Sequence, residues 1–274
     1  MSKNKERIDR LVLERGLANS RSKSQAIIMA GEVLVDGQPV TKSGHMVSKD
    51  AQIEIVAAAP YVSRGGYKLN AALDLFHIDV SNSACADVGA CTGGFTDVLL
   101  QRNASRVYSI DVGYGQLDWK LRQDNRVIIM ERTNARYLDS LPEKVTFVAV
   151  DVSFISLKLV LPSVVGWLTQ PGEIVALVKP QFEAGRKNVG KGGIVRDSGV
   201  HRHVLVDLLE WSVKQDLNPL GLIRSPITGS GGNVEFLLRL QMGRSDSVSI
   251  DGLLEGVGLG ASRDEIGPSC SLSG

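Results

Sequence analysis

The stretch that decides the fold is Asp87-Val88-Gly89-Ala90-Cys91-Thr92-Gly93-Gly94-Phe95-Thr96. It follows an apolar run, Ala84 to Val88, and opens a helical one containing Phe95, Val98 and Leu99. A strand that passes through a glycine-rich turn into a helix is the first unit of an open α/β sheet. The glycines let the backbone turn tightly and approach a ligand at the strand's carboxyl end. Working outward, Leu69, Ala72, Leu73 and Phe76 recur at helical spacing upstream. Short apolar strands follow at Val107 to Asp111, Val127 to Met130, Phe147 to Val150, Ile174 to Val178 and Glu235 to Leu240. Alternating strands and helices over about 180 residues predict an α/β domain with a doubly wound, mainly parallel sheet.

The N-terminal region reads differently. Ile8, Leu11 and Val12 give a helix over Arg7 to Arg15, stopped by Gly16. Asn19 or Ser20 caps a second helix with Ala26, Ile27 and Ala30 on one face. Val33-Leu34-Val35, the Asp36-Gly37 turn and Val40 form a hairpin, and Ile53 to Val56 one more strand. This predicts a small α+β module over 1–58, a linker at 59–63, the α/β domain at 64–242, and a tail at 243–274. That tail is rich in Ser, Gly and Asp and is expected to lack fixed structure.

The chain of 274 residues is 43% hydrophobic and 22% charged, which suits packed cores and excludes global disorder. Its net charge of +1 hides an asymmetry: residues 1–30 hold seven Lys/Arg against three acids, a net of +4. A basic N-terminal face on a near-neutral chain suggests a local polyanion contact, although charge alone fits a solvated helix face as well. No run reaches the ~18 apolar residues of a membrane span. The start of the chain has no apolar signal stretch, and Cys85, Cys91 and Cys270 form no paired framework. A reducing, cytoplasmic setting follows as the expectation.

Asp111 ends the second strand, where a carboxylate can accept both hydroxyls of a ribose. The loop could serve a dinucleotide or S-adenosylmethionine. Its Gly89-x-x-x-Gly93-Gly94 spacing is not the G-x-G-x-x-G that receives a pyrophosphate. Asp87, two residues before the first glycine, suits a ligand with a cationic amino-acid end. The loop therefore favours S-adenosylmethionine. A glycine turn without a ligand is the plainer reading, and the independent match of Asp111 weighs against it.

Four further polar residues stand where this fold places chemistry. Asp151 and Lys179 follow the strands ending at Val150 and Val178; Lys68 lies on the first helix of the domain; Glu235 begins the last strand. A lysine at the end of a fully apolar strand is costly unless solvated or paired, and each of the four taken singly fits a surface ion pair. Their joint occurrence beside a cofactor loop points to a site.

In this order Lys68, Asp151, Lys179 and Glu235 resemble the K-D-K-E set of the FtsJ-like ribose 2′-O-methyltransferases. The words Ser63-Arg64-Gly65-Gly66-Tyr67-Lys68-Leu69, Asp151-Val152-Ser153-Phe154-Ile155-Ser156-Leu157, Val178-Lys179-Pro180-Gln181-Phe182-Glu183 and Gly232-Asn233-Val234-Glu235-Phe236 resemble the TlyA (hemolysin A) subfamily. Upstream, Arg7-Ile8-Asp9, Ser20-Arg21-Ser22 with Gln25-Ala26, and Gly31 to Gly37 resemble an S4 RNA-binding domain. The two resemblances cover about 1–242. Cys91 stands where many relatives have Ser, Tyr67 where relatives often have His, and the linker lacks the Trp of some relatives.

The resemblance implies a Rossmann-like S-adenosylmethionine-dependent methyltransferase domain behind a small S4-like domain. It implies methylation of a ribose 2′-hydroxyl, of cytidine, in ribosomal RNA. Lys179 would be the base, with Lys68 beside it orienting the hydroxyl or a phosphate, and Asp151 and Glu235 would hold the two amines. Cofactor contacts carried over are Asp87, Gly89, Gly93, Gly94, Phe95 and Asp111, with Asn134 expected at the adenine. Arg7, Arg21, Lys23 and Arg64 are the expected RNA contacts, and a basic loop at 183–203 could close over the RNA. The partner would be ribosomal RNA or a ribosomal subunit, with no membrane contact and a monomer as the simplest state.

Two other classes stay open: an RNA-binding ribosome assembly factor without catalysis, and a membrane-active protein as the family's older name suggests. His201-Arg202-His203 has no third ligand cluster near it, so no metal site is expected. Cys91 has no base beside it in sequence and is not read as a nucleophile. Trp119, Trp167 and Trp211 are expected in the core.

Overall fold

In the N-terminal unit of this computed structural model, Ile8, Leu11 and Val12 turn inward as a stripe on a helix. The structure describes residues 4–29, 31–56, 60–243 and 248–260. The chain divides into two compact units after Pro60. The first runs β1 (Lys5–Arg7), α1 (Ile8–Glu14), α2 (Arg21–Met29), β2 (Val33–Val35), β3 (Gln38–Pro39), β4 (Met46–Ser48) and β5 (Ile53–Ile55). β1 pairs with β4, and β3-β2-β5 form a second antiparallel sheet. The β2–β3 hairpin turns on Asp36 and Gly37, both with positive φ, the twist that matches flanking strands. Ser20 caps α2, its Oγ accepting from the Lys23 N–H at 3.1 Å. α2 buries Ser24, Ile27 and Ile28, while Ala26 is exposed. The helix begins at Arg21, so its inner face follows 24, 27 and 28 rather than the expected Ala26 line; Ala30 lies outside the described residues.

The second unit contains α3 (Gly65–Leu75), β6 (Ala84–Val88), α4 (Gly94–Gln101), β7 (Arg106–Ile110), α5 (Trp119–Arg122), β8 (Val127–Met130), β9 (Val145–Val150) and α6 (Leu157–Trp167). It continues with β10 (Leu168–Val178), α7 (Pro180–Glu183), α8 (Ser198–Lys214), β11 (Leu217–Arg224), β12 (Phe236–Met242) and α9 (Ile250–Gly256). The expected doubly wound sheet is seven-stranded, in the order β11-β12-β10-β9-β6-β7-β8. β12 runs antiparallel to both neighbours, and β10, β9, β6, β7 and β8 are parallel.

Strand residues alternate between two cores. Phe147 and Ala149 face α3 and α4 with Leu69, Leu73, Val98 and Leu99, whereas Val148 and Val150 face α6 and α8 with Leu161, Val164, Leu205 and Leu209. Burial on both faces is why these strands read as near-continuous apolar runs. β11 escapes the sequence reading because Pro219 and Gly221 interrupt its pattern; its edge position and a bulge there tolerate both.

The structure departs from the sequence reading at three further places. Tyr61 and Val62, expected in a linker, pack on the α3/α4 core, and the Val62 N–H donates to buried Asp97 at 2.9 Å. Residues 248–260, expected in a tail without structure, include α9, whose Leu253 and Leu254 are buried. Ile250, Leu253, Leu254 and Val257 make a short helical stripe that composition averages away, and Ser249 caps it. Residues 261–274 lie outside the described residues. Trp119 is 73% exposed because α5 turns Leu121 inward instead, while Trp167 is buried as expected.

Candidate active site at the sheet's carboxyl edge

The glycines of the β6–α4 loop have different jobs. Gly89 has φ +84°, and a Cβ there would lie 2.3 Å from the Asp151 carbonyl oxygen. Only glycine lets this turn sit against the end of β9. Gly93, at φ +94°, precedes α4, and a Cβ on it would strike the Leu121 and Leu117 side chains. A Cβ on Gly94 would meet Ser63 Oγ at 2.2 Å, so Gly94 lets α3 and α4 approach each other. Phe95 is buried among the α3/α4 core residues and borders the cleft.

Two clefts open beside this loop and meet at Gly89, Cys91 and Asp151. The first, about 320 Å³, is lined by Arg64, Lys68, Asp87, Gly94, Phe95 and Asp151. The second, about 530 Å³, holds Asp111 and Asn134 against Ile110, Val112, Ala135, Ile155 and Val160.

Asp87 is fully buried. One oxygen, Oδ2, accepts from the Thr96 N–H at 2.8 Å and from Thr96 Oγ1 at 2.7 Å. The other, Oδ1, is buried and has no hydrogen-bond partner among the described residues. Burial pushes the carboxyl up to about 7, helped by the charges of Asp151 and Asp111 and opposed by the Thr96 hydrogen bonds. An orphaned acceptor on a cleft wall fits a ligand that brings a cation. Asp111 sits at the other end, its carboxylate oriented by the Cys91 N–H at 2.8 Å and the Gly113 N–H at 2.6 Å. Asn134 uses its side-chain oxygen to cap a short turn, accepting from the Arg136 N–H, and lines the second cleft. The residues thus fit an elongated ligand with an ammonium at one end and a nucleoside at the other.

The four residues of the K-D-K-E pattern form two ion pairs at this edge. Lys68 Nζ lies 2.5 Å from Glu235 Oε2, with both residues buried. Lys179 Nζ lies 2.6 Å from Asp151 Oδ1 and 2.8 Å from Ser153 Oγ. The antiparallel β12 explains the meeting: Phe236 pairs with Val178, so the start of one strand and the end of the other share an edge. Glu235 and Lys179 therefore flank adjoining positions, and Lys68 reaches Glu235 from α3. Lys68 and Asp151 line the same cleft as Asp87.

Two contributors escaped the sequence reading. Ser153 is the second anchor of Lys179. Glu183 accepts from Ser156 Oγ at 2.6 Å and from the Leu157 N–H at 2.8 Å, tying the turn after Lys179 to the loop after Asp151. Both stand inside the words Asp151 to Leu157 and Val178 to Glu183, which was the available signal. Among the described residues no group of three or more His, Cys, Asp or Glu could hold a metal. His201 is buried, and its Nε2 lies 3.1 Å from the Val195 carbonyl. Cys91 is exposed, and its Sγ lies near the Gln116 amide oxygen rather than a base.

The expected RNA-contact residues fall in both units. In the first, Arg7 is half-buried, and Arg21 and Lys23 are exposed at the start of α2. In the second, exposed Arg64 lines the first cleft. No helix among the described residues is long and apolar enough to cross a membrane.

A doubly wound domain with this glycine loop, a split ligand cleft and paired Lys/acid groups belongs to the nucleoside-cofactor transferases in its class of fold and site. Residues 61–242 match the FtsJ-like methyltransferase family and residues 6–53 the S4 domain; the chain belongs to the FtsJ-like methyltransferase family. It is 48% identical over 247 residues to “Putative rRNA methyltransferase YqxC” of Bacillus subtilis, covering 88% of this chain and 87% of that one. It is 42% identical over 255 residues to the 16S/23S rRNA (cytidine-2′-O)-methyltransferase TlyA of Mycobacterium tuberculosis, covering 92% and 95%. Among solved structures, “Putative hemolysin from Streptococcus thermophilus” superposes with a TM-score of 0.72 at 41% identity, covering 94% and 96%.

Proposed function

We infer that this chain methylates the 2′-hydroxyl of a cytidine in ribosomal RNA, with S-adenosylmethionine as donor. Membership of the FtsJ-like family and the activity named for its mycobacterial relative support the reaction class. The observation that carries it is the Lys179–Asp151–Ser153 group, which shares Asp151 with the cleft holding the orphaned Asp87 oxygen.

Bound S-adenosylmethionine supplies a methyl group already activated on a sulfonium. The protein's task is to hold the hydroxyl in line and accept its proton. Asp87 receives the ammonium of the methionine end, Asp111 the ribose and Asn134 the adenine. Gly89 and Gly94 give their backbones to the same cleft, Gly93 shapes the turn, and Phe95 contributes its backbone. Lys179, once its ammonium has lost a proton to solvent, accepts the proton from the 2′-hydroxyl as a neutral amine. Asp151 balances the charge that Lys179 gains, and Ser153 fixes the direction of the amine. Lys68, held by Glu235, orients the hydroxyl or the adjoining phosphate. Arg7, Arg21, Lys23 and Arg64 contact phosphates, and the basic segment between α7 and α8, residues 184–197, closes over the RNA. The target lies in the cytoplasm with the ribosome, and the protein acts as a monomer.

Reverse-transcription stops map 2′-O-methyl groups on ribosomal RNA with and without the protein. The parent creates a stop at a cytidine. Lys179→Ala abolishes it while binding S-adenosylhomocysteine as the parent does. Retained turnover in that variant removes Lys179 from the role of base. A mark on a base rather than a ribose overturns the reaction itself.

A further inference from the structure

Asp9 is the first-turn acid of α1 and is fully buried, yet it stands in the most basic part of the chain. Its Oδ1 accepts from Arg7 Nε at 2.9 Å. Its Oδ2 accepts from Arg7 Nη2 at 2.9 Å, Arg21 Nε at 3.2 Å and Gln25 Nε2 at 3.0 Å. Arg7 is therefore held by a two-point fork, and a second guanidinium shares the same carboxylate. Both arginine side chains remain open to solvent, at 38% and 50% exposure.

We propose that Asp9 is a positioning residue of the RNA-binding surface, fixing the inner edges of the Arg7 and Arg21 guanidinium groups so that their outer N–H groups face phosphates already aligned. The proposal rests on the reading that Arg7 and Arg21 contact RNA. A guanidinium can use both edges at once, because its five donors lie in one plane. Two adjacent cations repel each other, and each long side chain samples many rotamers. A buried carboxylate between them removes the repulsion and the rotamer freedom before RNA arrives. Gln25 holds the carboxylate itself in place. The cost of burying the acid is offset by the same contacts.

This makes a prediction opposite in sign to simple electrostatics. Removing a negative charge from a polyanion-binding surface should strengthen binding. If Asp9 acts by geometry, Asp9→Asn weakens it instead, by about tenfold, because two rotamer-rich side chains must then be ordered on binding. Filter binding of the full-length protein to 16S and 23S ribosomal RNA across a salt series reads the effect, with far-UV circular dichroism checking the fold. Arg7→Gln and Arg21→Gln test the underlying reading: each lowers the salt slope by about 0.7–0.9 if it removes a phosphate contact. In the Arg7→Gln/Arg21→Gln background, Asp9→Asn should have no further effect, which a purely structural role would not produce.

Arginine variants that bind like the parent overturn the RNA reading. Weakened arginine variants together with an Asp9→Asn protein that binds as well as the parent or better overturn the positioning role alone. Should Asp9→Asn fail to fold, Arg21→Lys decides: it keeps the charge at a half-exposed position, but an ammonium cannot grip Asp9 and present a fixed outer fork. Several-fold weaker binding supports the proposal, and equal binding overturns it.

Discussion

Asp87 is expected to couple cofactor binding to pH, because a carboxyl raised by burial must be ionised to receive an ammonium. The carboxyl is fully buried and raised by that burial from 3.8 to about 7. Its free oxygen faces no donor among the described residues, so an arriving ammonium is what would stabilise its charged form. Binding then requires the ionised carboxylate. That fraction falls about eightfold between pH 7.5 and pH 6 for a group titrating near 7. Calorimetry with S-adenosylhomocysteine should show affinity falling by a similar factor over that interval, with proton release on binding near pH 7. Stability of the ligand-free protein runs the other way. The folded state holds the proton and the unfolded state releases it between 3.8 and about 7. This contribution is fully present below the lower value and is lost as pH rises through the upper one. At about 1.4 kcal/mol per pH unit it reaches up to about 4 kcal/mol. Asp87→Asn should therefore raise the melting temperature of the ligand-free protein at pH 8 by a few degrees while weakening S-adenosylhomocysteine at least tenfold. Affinity that stays flat from pH 6 to 7.5 in the parent would refute the coupling. So would an Asp87→Asn protein that binds normally with the same pH dependence.

Other perturbations test the remaining parts. Gly89→Ala places a methyl group 2.3 Å from the Asp151 carbonyl at φ +84°, so it should cost about 1–3 kcal/mol and displace Asp151. Single-turnover methylation should fall further than folding stability measured by urea. Glu183→Gln weakens the tie to Ser156 Oγ and Leu157 N; kcat should drop about tenfold with the KM for S-adenosylmethionine nearly unchanged. A change confined to KM would place Glu183 in binding instead. Leu254→Ala opens a hole at a fully buried position of α9 and should cost about 2–4 kcal/mol in denaturant unfolding. A loss below about 1 kcal/mol would mean α9 contributes little to the core.

By itself the sequence determined the parts whose physics is local. Gly89 and Gly93 announce a tight strand-to-helix turn because only glycine combines positive φ with close approach, Gly94 adds the close approach alone, and the apolar runs after it announce strands covered on both faces. The resemblance of Lys68, Asp151, Lys179 and Glu235 to a known pattern pointed to a candidate site. Which amine meets which carboxylate was beyond its reach. Lys68 and Glu235 are separated by 167 positions and meet only because β12 inserts antiparallel beside β10, a choice made by the packing of the whole sheet. The same holds for Ser153 on Lys179, for the Asp87 oxygen that has no partner among the described residues, and for two arginines sharing Asp9. It holds too for α9, whose four-residue stripe carries meaning only once a groove exists to receive it. Periodicity and turn chemistry are encoded within a few residues. Pairing, burial and the electrostatics that follow depend on groups far apart in the chain, and only the folded arrangement fixes those distances.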